Sequence, residues 1–269
     1  MITEPAPTVR ELLAFYLEAG VDCALAEEPV DRLAELDAPP PAPRVAAVEA
    51  PRPVAAPAVI RGEAAPAPDI AIASAREAAR TAPTLEALRE LMQNFEGCAL
   101  KHTATRLVFA DGNSQARIMF VGEAPGRDED IEGLPFVGRS GKLLDLMIGA
   151  IGLNRTTAYI TNVIPWRPPG NRTPTPQETQ ICLPFIQRHI ELVNPDMLVT
   201  LGNPSTQTLL STREGIMRTR GRWFDYDTGQ RTIRALPTFH PAYLLRSPSY
   251  KRLAWQDLRA IAKVLAQGS

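Results

Sequence analysis

A chain of 269 residues, 45% hydrophobic and carrying a formal net charge of −1, is long enough to bury a full core and leave a tail over. No run approaches the roughly 20 apolar residues of a membrane helix, and the N-terminus MITEPAPTVRELLAF lacks the basic-then-apolar order of a signal peptide, so neither insertion nor secretion is expected. Three cysteines, Cys23, Cys98 and Cys182, are odd in number and widely spaced, which is poor material for a disulfide framework and fits a reducing cytosol.

Charge is uneven along the chain. Residues 1–83 hold 13 acidic and 7 basic side chains (−6), whereas residues 84–269 hold 17 acidic and 22 basic ones (+5). Between Arg213 and Arg252 there are nine Lys or Arg against three Asp or Glu. A basic face of this kind suits a polyanion such as nucleic acid, although a solvated charged surface has the same composition.

Residues 1–38 read as a short helical segment. Thr8 with Glu11 makes a capping box, Leu12, Leu13, Tyr16 and Leu17 form an apolar face, and Gly20 marks a stop. Residues 39–83 are expected to be a Pro/Ala-rich linker, with nine prolines between 39 and 68 and no periodicity. The catalytic domain is expected over 84–269.

From there strands and helices alternate. Strands are expected at 117–122 (RIMFVG), 158–163 (AYITNV), 197–202 (MLVTLG) and 233–239 (IRALPTF). Helical spacing falls at about 139–152, 176–193, 204–211 and 249–266. This alternation predicts an α/β fold, a three-layer α/β/α sandwich around a central, mostly parallel four-stranded sheet. Ligands in such folds bind beyond the carboxyl ends of the strands, and every unusual motif of this chain sits at such an end.

The first strand runs into Gly122-Glu123-Ala124-Pro125-Gly126, with Asp128, Glu129 and Asp130 close behind. No Gly-Lys-Ser/Thr follows, and the acids disfavour a phosphate, so this is not read as a phosphate loop. Pro135-Phe136-Val137-Gly138-Arg139 holds an aromatic ring on the next loop, placed either to stack on a flat ligand or to fill core. Asn162 closes the second strand and is followed by Arg167-Pro168-Pro169-Gly170-Asn171-Arg172. An asparagine there offers both an acceptor and a donor, or serves as a structural cap. The last strand delivers His240-Pro241-Ala242-Tyr243-Leu244-Leu245-Arg246, where the histidine is either functional or a satisfied core residue.

Taken together and in order, these four motifs resemble those of the family 4 uracil-DNA glycosylases, over about Leu91 to Leu265. The resemblance implies a base-excision enzyme and a role for each matching position. Phe136 would stack on an extruded uracil and Asn162 would read its edge, on a floor that includes Gly122. Glu129 would shape the pocket against a thymine methyl. Glu123, Asn171 and His240 would be catalytic: Glu123 in the water-activating loop, Asn171 its helper, His240 at uracil O2. Leu244 would be the wedge in the vacated base stack, with Arg246 and Arg167 at the DNA.

The physical chemistry of the reaction agrees with those roles. A base inside a duplex must be extruded before any enzyme reaches it. A fixed carboxamide accepts from uracil N3–H and donates to O4, and cytosine presents the opposite pair. The glycosidic bond breaks with oxocarbenium character on the sugar, so a donor at O2 and a carboxylate near the sugar both stabilise the developing charges.

The resemblance also implies a four-iron cluster held by four cysteines, and here the chain departs from it. Two of the four positions keep cysteine, Cys98 and Cys182, and the other two are Phe95 and Trp166. Two thiolates fall short of the usual ligand set, so no cluster and no metal are expected, with the aromatic rings filling the space. Cys98 and Cys182 are expected close together.

The function expected is therefore monofunctional excision of uracil from single- and double-stranded DNA, with other damaged bases left open. No lysine occupies a motif position, so Schiff-base chemistry is not expected. A catalytically weak protein that binds uracil-containing or abasic DNA is the alternative. A third reading, a nucleotide hydrolase, needs Asp128, Glu129 and Asp130 to hold a metal. The setting expected is a cytoplasmic monomer, with an unknown partner for the N-terminal segment left open.

Overall fold

The computed structural model describes residues 68–267, all within the compact unit Arg61–Ser269. The helical segment expected in residues 1–38 lies outside the described residues, as does the linker up to residue 67. Six strands form one sheet: β1 (Asp111–Gly112), β2 (Ile118–Gly122), β3 (Tyr159–Asn162), β4 (Met197–Leu201), β5 (Phe224–Asp227) and β6 (Thr232–Thr238). Their order is β1-β3-β2-β4-β6-β5. The inner four run parallel, as expected, and β1 and β5 add short antiparallel edges. The edges escape a reading by periodicity because β1 is two residues long and β5 reads Phe-Asp-Tyr-Asp, without a β-branched residue.

Ten α-helices accompany the sheet among the described residues. They are α1 (Pro68–Thr81), α2 (Leu85–Asn94), α3 (Leu100–Thr103), α4 (Arg127–Glu132), α5 (Arg139–Gly149), α6 (Pro176–Val193), α7 (Asn203–Leu210), α8 (Ile216–Thr219), α9 (Pro241–Arg246) and α10 (Lys251–Gln267). Strand β2 shows how the layers arise. All five of its residues are buried, and alternate side chains serve opposite faces. Met119 and Val121 join the cluster built with α1, α2 and α6, whereas Ile118 and Phe120 join the one built with α5, α9 and α10.

The linker expectation ends too late in the chain. Its last part, Pro68–Thr81, is helix α1, which packs along α6 through Ala71, Ala75 and Ala79, all buried. The four-residue spacing of these alanines was the signal, hidden by a composition that matches the Pro/Ala-rich stretch before it. Small side chains bring the two helix axes close, and Arg188 of α6 caps the join by donating to the carbonyl of Ala82.

Helix α6 begins with a full capping box, in which Thr175 accepts from the amide of Glu178 and Glu178 accepts from the amide of Thr175. Among the described residues, no helix is long and apolar enough to cross a membrane.

Candidate active site

The carboxyl ends of β2, β3, β4 and β6 open into one cleft of about 550 Å³. Its lining brings together Glu123, Glu129, Phe136, Asn162, Asn171 and His240, drawn from four separate stretches of the chain. Arg246 stands at its rim, exposed.

Asn162 ends β3, held in register beside Gly122 of β2. Its side chain is buried, and its Oδ1 has no hydrogen-bond partner among the described residues. A buried acceptor left unpaired costs on the order of 1–3 kcal/mol, so its donor is expected to come from a ligand. The glycine beside it is obligatory. A Cβ on Gly122 would lie 2.4 Å from Asn162 Oδ1 and 2.6 Å from the ring tip of Phe136.

Phe136 sits at φ +55, a left-handed conformation that is rare for an aromatic residue. Two features hold it there. A Cβ at Gly141 would land 1.6 Å from the Phe136 carbonyl oxygen, so only glycine admits that turn against α5. Arg155 donates to the carbonyls of Pro135 and Phe136 while paired with Asp111 and Asp145. The ring stacks on His240 with centroids 5.4 Å apart.

His240 caps α9. Its Nδ1 accepts from the amide of Ala242 at 3.1 Å, which puts the ring proton on Nε2. Burial, with the charge of Arg246 as the lesser cause, pushes its pKa down to about 4, so the ring is neutral at physiological pH. Gly202, after β4, lies so close that a Cβ there would meet His240 Cβ at 2.9 Å.

Of the acids near the first motif, Glu123 and Glu129 line the cleft in different surroundings. Burial raises the Glu123 carboxyl above its ordinary value. Glu129 accepts three backbone amides, from Gly126 at 3.0 Å, Val137 at 3.1 Å and Gly138 at 3.0 Å. It therefore ties the first-motif loop to the Phe136 loop. Asp130 faces elsewhere, accepting from the amides of Thr105 and Arg106 and from the Thr105 hydroxyl. With both carboxylates so engaged, the metal triad needed for a nucleotide hydrolase is not assembled; among the described residues no group of three or more such ligands occurs.

Two expected DNA contacts are placed differently by the structure. Leu244 is 1% exposed and packs in the core with α5 and α10, so it cannot insert into a base stack without emptying its own site. The exposed apolar residue of that helix is the next one, Leu245, at 37%. Spacing within a six-residue helix does not reveal which of two adjacent leucines points inward. Arg167 is engaged within the protein, donating to Asn171 Oδ1 at 2.7 Å and standing 3.9 Å from Asp130. Asn171 itself is exposed, at φ +56 on the turn Pro169–Asn171. Arg155, which braces the site, carries no motif signal and is legible only from the fold.

Phe95, Cys98, Trp166 and Cys182 are all buried in one core cluster. The two thiols are free and hydrogen-bonded to each other, and Cys182 is raised well above its ordinary value by that bond and by burial. Phe95 packs edge-on against Phe185, centroids 5.0 Å apart, and Trp166 is 2% exposed. The residues present do not fit a four-iron cluster, since two of the four ligand positions are rings without a metal-binding atom.

Comparison with known proteins matches this architecture. The family model described as uracil DNA glycosylase superfamily covers residues 109–259. The chain is 40% identical over 177 residues to a type-4 uracil-DNA glycosylase of Thermotoga maritima, covering 65% of this chain and 91% of that protein. It is 38% identical to those of Saccharolobus solfataricus (68% and 87%) and Archaeoglobus fulgidus (66% and 90%). The motif-bearing cleft lies within the residues that the family model matches, and the chain belongs to the uracil DNA glycosylase superfamily, similar to its type-4 members.

Proposed function

We propose that this chain is a monofunctional DNA glycosylase that draws uracil out of single- or double-stranded DNA and hydrolyses its N-glycosidic bond. The observation that carries the reading is the unpartnered, buried Oδ1 of Asn162 at the floor of the cleft. Uracil N3–H supplies the missing donor, and the amide end of the same side chain donates to O4. Cytosine offers an acceptor where the site already has one, which leaves both unpaired.

Phe136 provides the flat face for the base. Uracil departs as an anion, and the Nε2–H of a neutral His240 donates to its O2. A neutral donor suits this step, because a charged imidazolium would surrender its proton to the leaving group. Glu123, facing the cleft from the end of β2, accepts a proton from the attacking water and favours the cationic sugar. Arg246 binds the phosphate backbone, and Leu245 takes the wedge position that the burial of Leu244 rules out.

The same reading has the chain work without an iron–sulfur cluster, with Phe95 and Trp166 packing where ligands would stand. The setting proposed is a cytosolic monomer, consistent with two free buried thiols.

The test is incubation of the purified protein with an end-labelled oligonucleotide containing one uracil, followed by alkaline cleavage of abasic sites. A shortened product that needs both uracil and alkali is expected. Retention of the strand without product would favour a binding protein instead, and neither would remove the reading.

A further inference from the structure

Two further cavities border the central cleft and share no lining residue with each other. One, of about 440 Å³, meets the cleft at Ser140, Ala242 and Arg246 and carries Arg127 and Arg139 beside Leu245. The other, of about 580 Å³, meets it at Asn203 and Ile216 and is walled by the loop Arg213–Arg218. The first belongs to motifs already assigned to DNA. The second belongs to none of them.

We propose that the loop Arg213–Arg218 is a second phosphate-binding arm, holding the DNA strand on the side of the extruded nucleotide away from Arg246. This rests on the glycosylase reading and extends it to the flanking strand. Arg213 and Arg218 are both exposed and both line the cavity. The one acid between them, Glu214, is engaged by Arg222 at 2.7 Å, which leaves the loop's surface cationic. Ile216 reaches into the central cleft, so the arm and the base pocket share a wall. At the seam, Asn203 has a buried Oδ1 with no partner among the described residues. An acceptor there fits a base-edge amine or a bridging water of the neighbouring nucleotide. Met217, 54% exposed on the same loop, offers an adaptable apolar contact for a base face.

The base of the arm is fixed. Arg220, two residues beyond Arg218, donates to Asp257 and to the carbonyl of Leu253, and Asp257 accepts from Thr238 at 2.8 Å at the end of β6. A Cβ on Gly221 would lie 2.6 Å from Asp257 Oδ1, at φ +70, so the chain is held tightly where the loop rejoins the sheet. A cationic loop on a rigid stem positions a phosphate without ordering itself first.

The experiment measures binding by fluorescence anisotropy, using labelled single strands with one uracil and a growing number of nucleotides on one side or the other. In the full-length protein, affinity is expected to rise with added nucleotides on both sides. The double variant Arg213→Glu/Arg218→Glu is expected to lose the gain on one side only, by about tenfold, and its salt slope to fall by roughly 0.7 for each phosphate no longer bound. Arg213→Lys/Arg218→Lys keeps the charge and should restore the slope. Arg259→Glu/Lys263→Glu on α10 changes net charge equally and should spare the side-specific gain. Unchanged length dependence in the Arg213/Arg218 variant, or an equal loss in the α10 variant, overturns the arm. The uracil in these strands carries a 2′-fluoro sugar, which disfavours the oxocarbenium character that bond breaking needs, so binding is read without turnover, and absence of uracil release from an ordinary substrate would count against the glycosylase reading alone.

Discussion

Arg167 Nε donates to Asn171 Oδ1 at 2.7 Å. A guanidinium can only donate, so the atom facing it is the carbonyl oxygen of the side chain, and the free end of Asn171 is its NH₂ group. Asn171 therefore meets the cleft as a donor. Asn171→Asp keeps the bond to Arg167 and tolerates φ +56, yet removes the donor. We expect it to lower kcat about tenfold to a hundredfold with the fold intact, as removal of a hydrogen bond to a charged group does. Full activity in Asn171→Asp would show that the amide end does nothing.

His240 should not titrate where histidines usually do. Its pKa is pushed down to about 4, and that of the buried His189 to about 3. Because both folded values lie below the unfolded one of about 6.5, the stability they contribute is complete above pH 6.5 and is lost as pH falls through about 4 for His240 and about 3 for His189. Ring NMR signals of His240 should stay in the neutral form at pH 5.5. The acid limb of kcat/KM should then follow Glu123, whose carboxyl is raised by burial, and disappear in Glu123→Gln. A His240 signal moving near pH 6.5 would contradict the bond between its Nδ1 and the Ala242 amide.

Asn162→Asp exchanges the donor end of the side chain for an acceptor. The uracil kcat/KM should fall on the order of a hundredfold or more, and the ratio of cytosine to uracil release should rise. A variant that loses activity without changing that ratio would place base reading elsewhere.

Gly122→Ala should cost activity more than stability. The new methyl meets Asn162 Oδ1 at 2.4 Å and Phe136 at 2.6 Å, and both can shift only into the cleft that the base needs. Steady-state kinetics should show a raised KM together with a lower kcat, and thermal unfolding a small change. Unaltered kinetics would mean that the floor of the cleft yields.

Protein purified under anaerobic conditions should contain substoichiometric iron, and iron chelators should leave its activity unchanged. Trp166→Ala should destabilise by about 3–5 kcal/mol, as removal of a buried aromatic ring does. Four irons per chain with matching sulfide would overturn the packing account.

Much of this was legible in the residues. The four inner strands announce themselves because each is a short apolar run ending in Gly, Asn or His, and a buried parallel strand needs no alternation. Asn162 and His240, each as readily a structural cap or a satisfied core residue when taken alone, gain their meaning from four motifs that occur in order at strand ends. What remained hidden depends on the third dimension. Leu244 and Leu245 are equivalent in sequence and opposite in space. Arg155 grips the Phe136 loop from 19 residues away in a stretch without a motif. The alanine face of α1 was disguised by the composition around it.

The three amides gathered by Glu129 have a consequence for how this enzyme can change. They join two walls of the cleft into one body, with Gly126 and Gly138 leaving room for the carboxylate between them. A pocket built this way does not widen by parting its loops to admit a bulkier lesion. New specificities must arise by exchanging the side chains that face the base, one at a time, inside a frame that stays put.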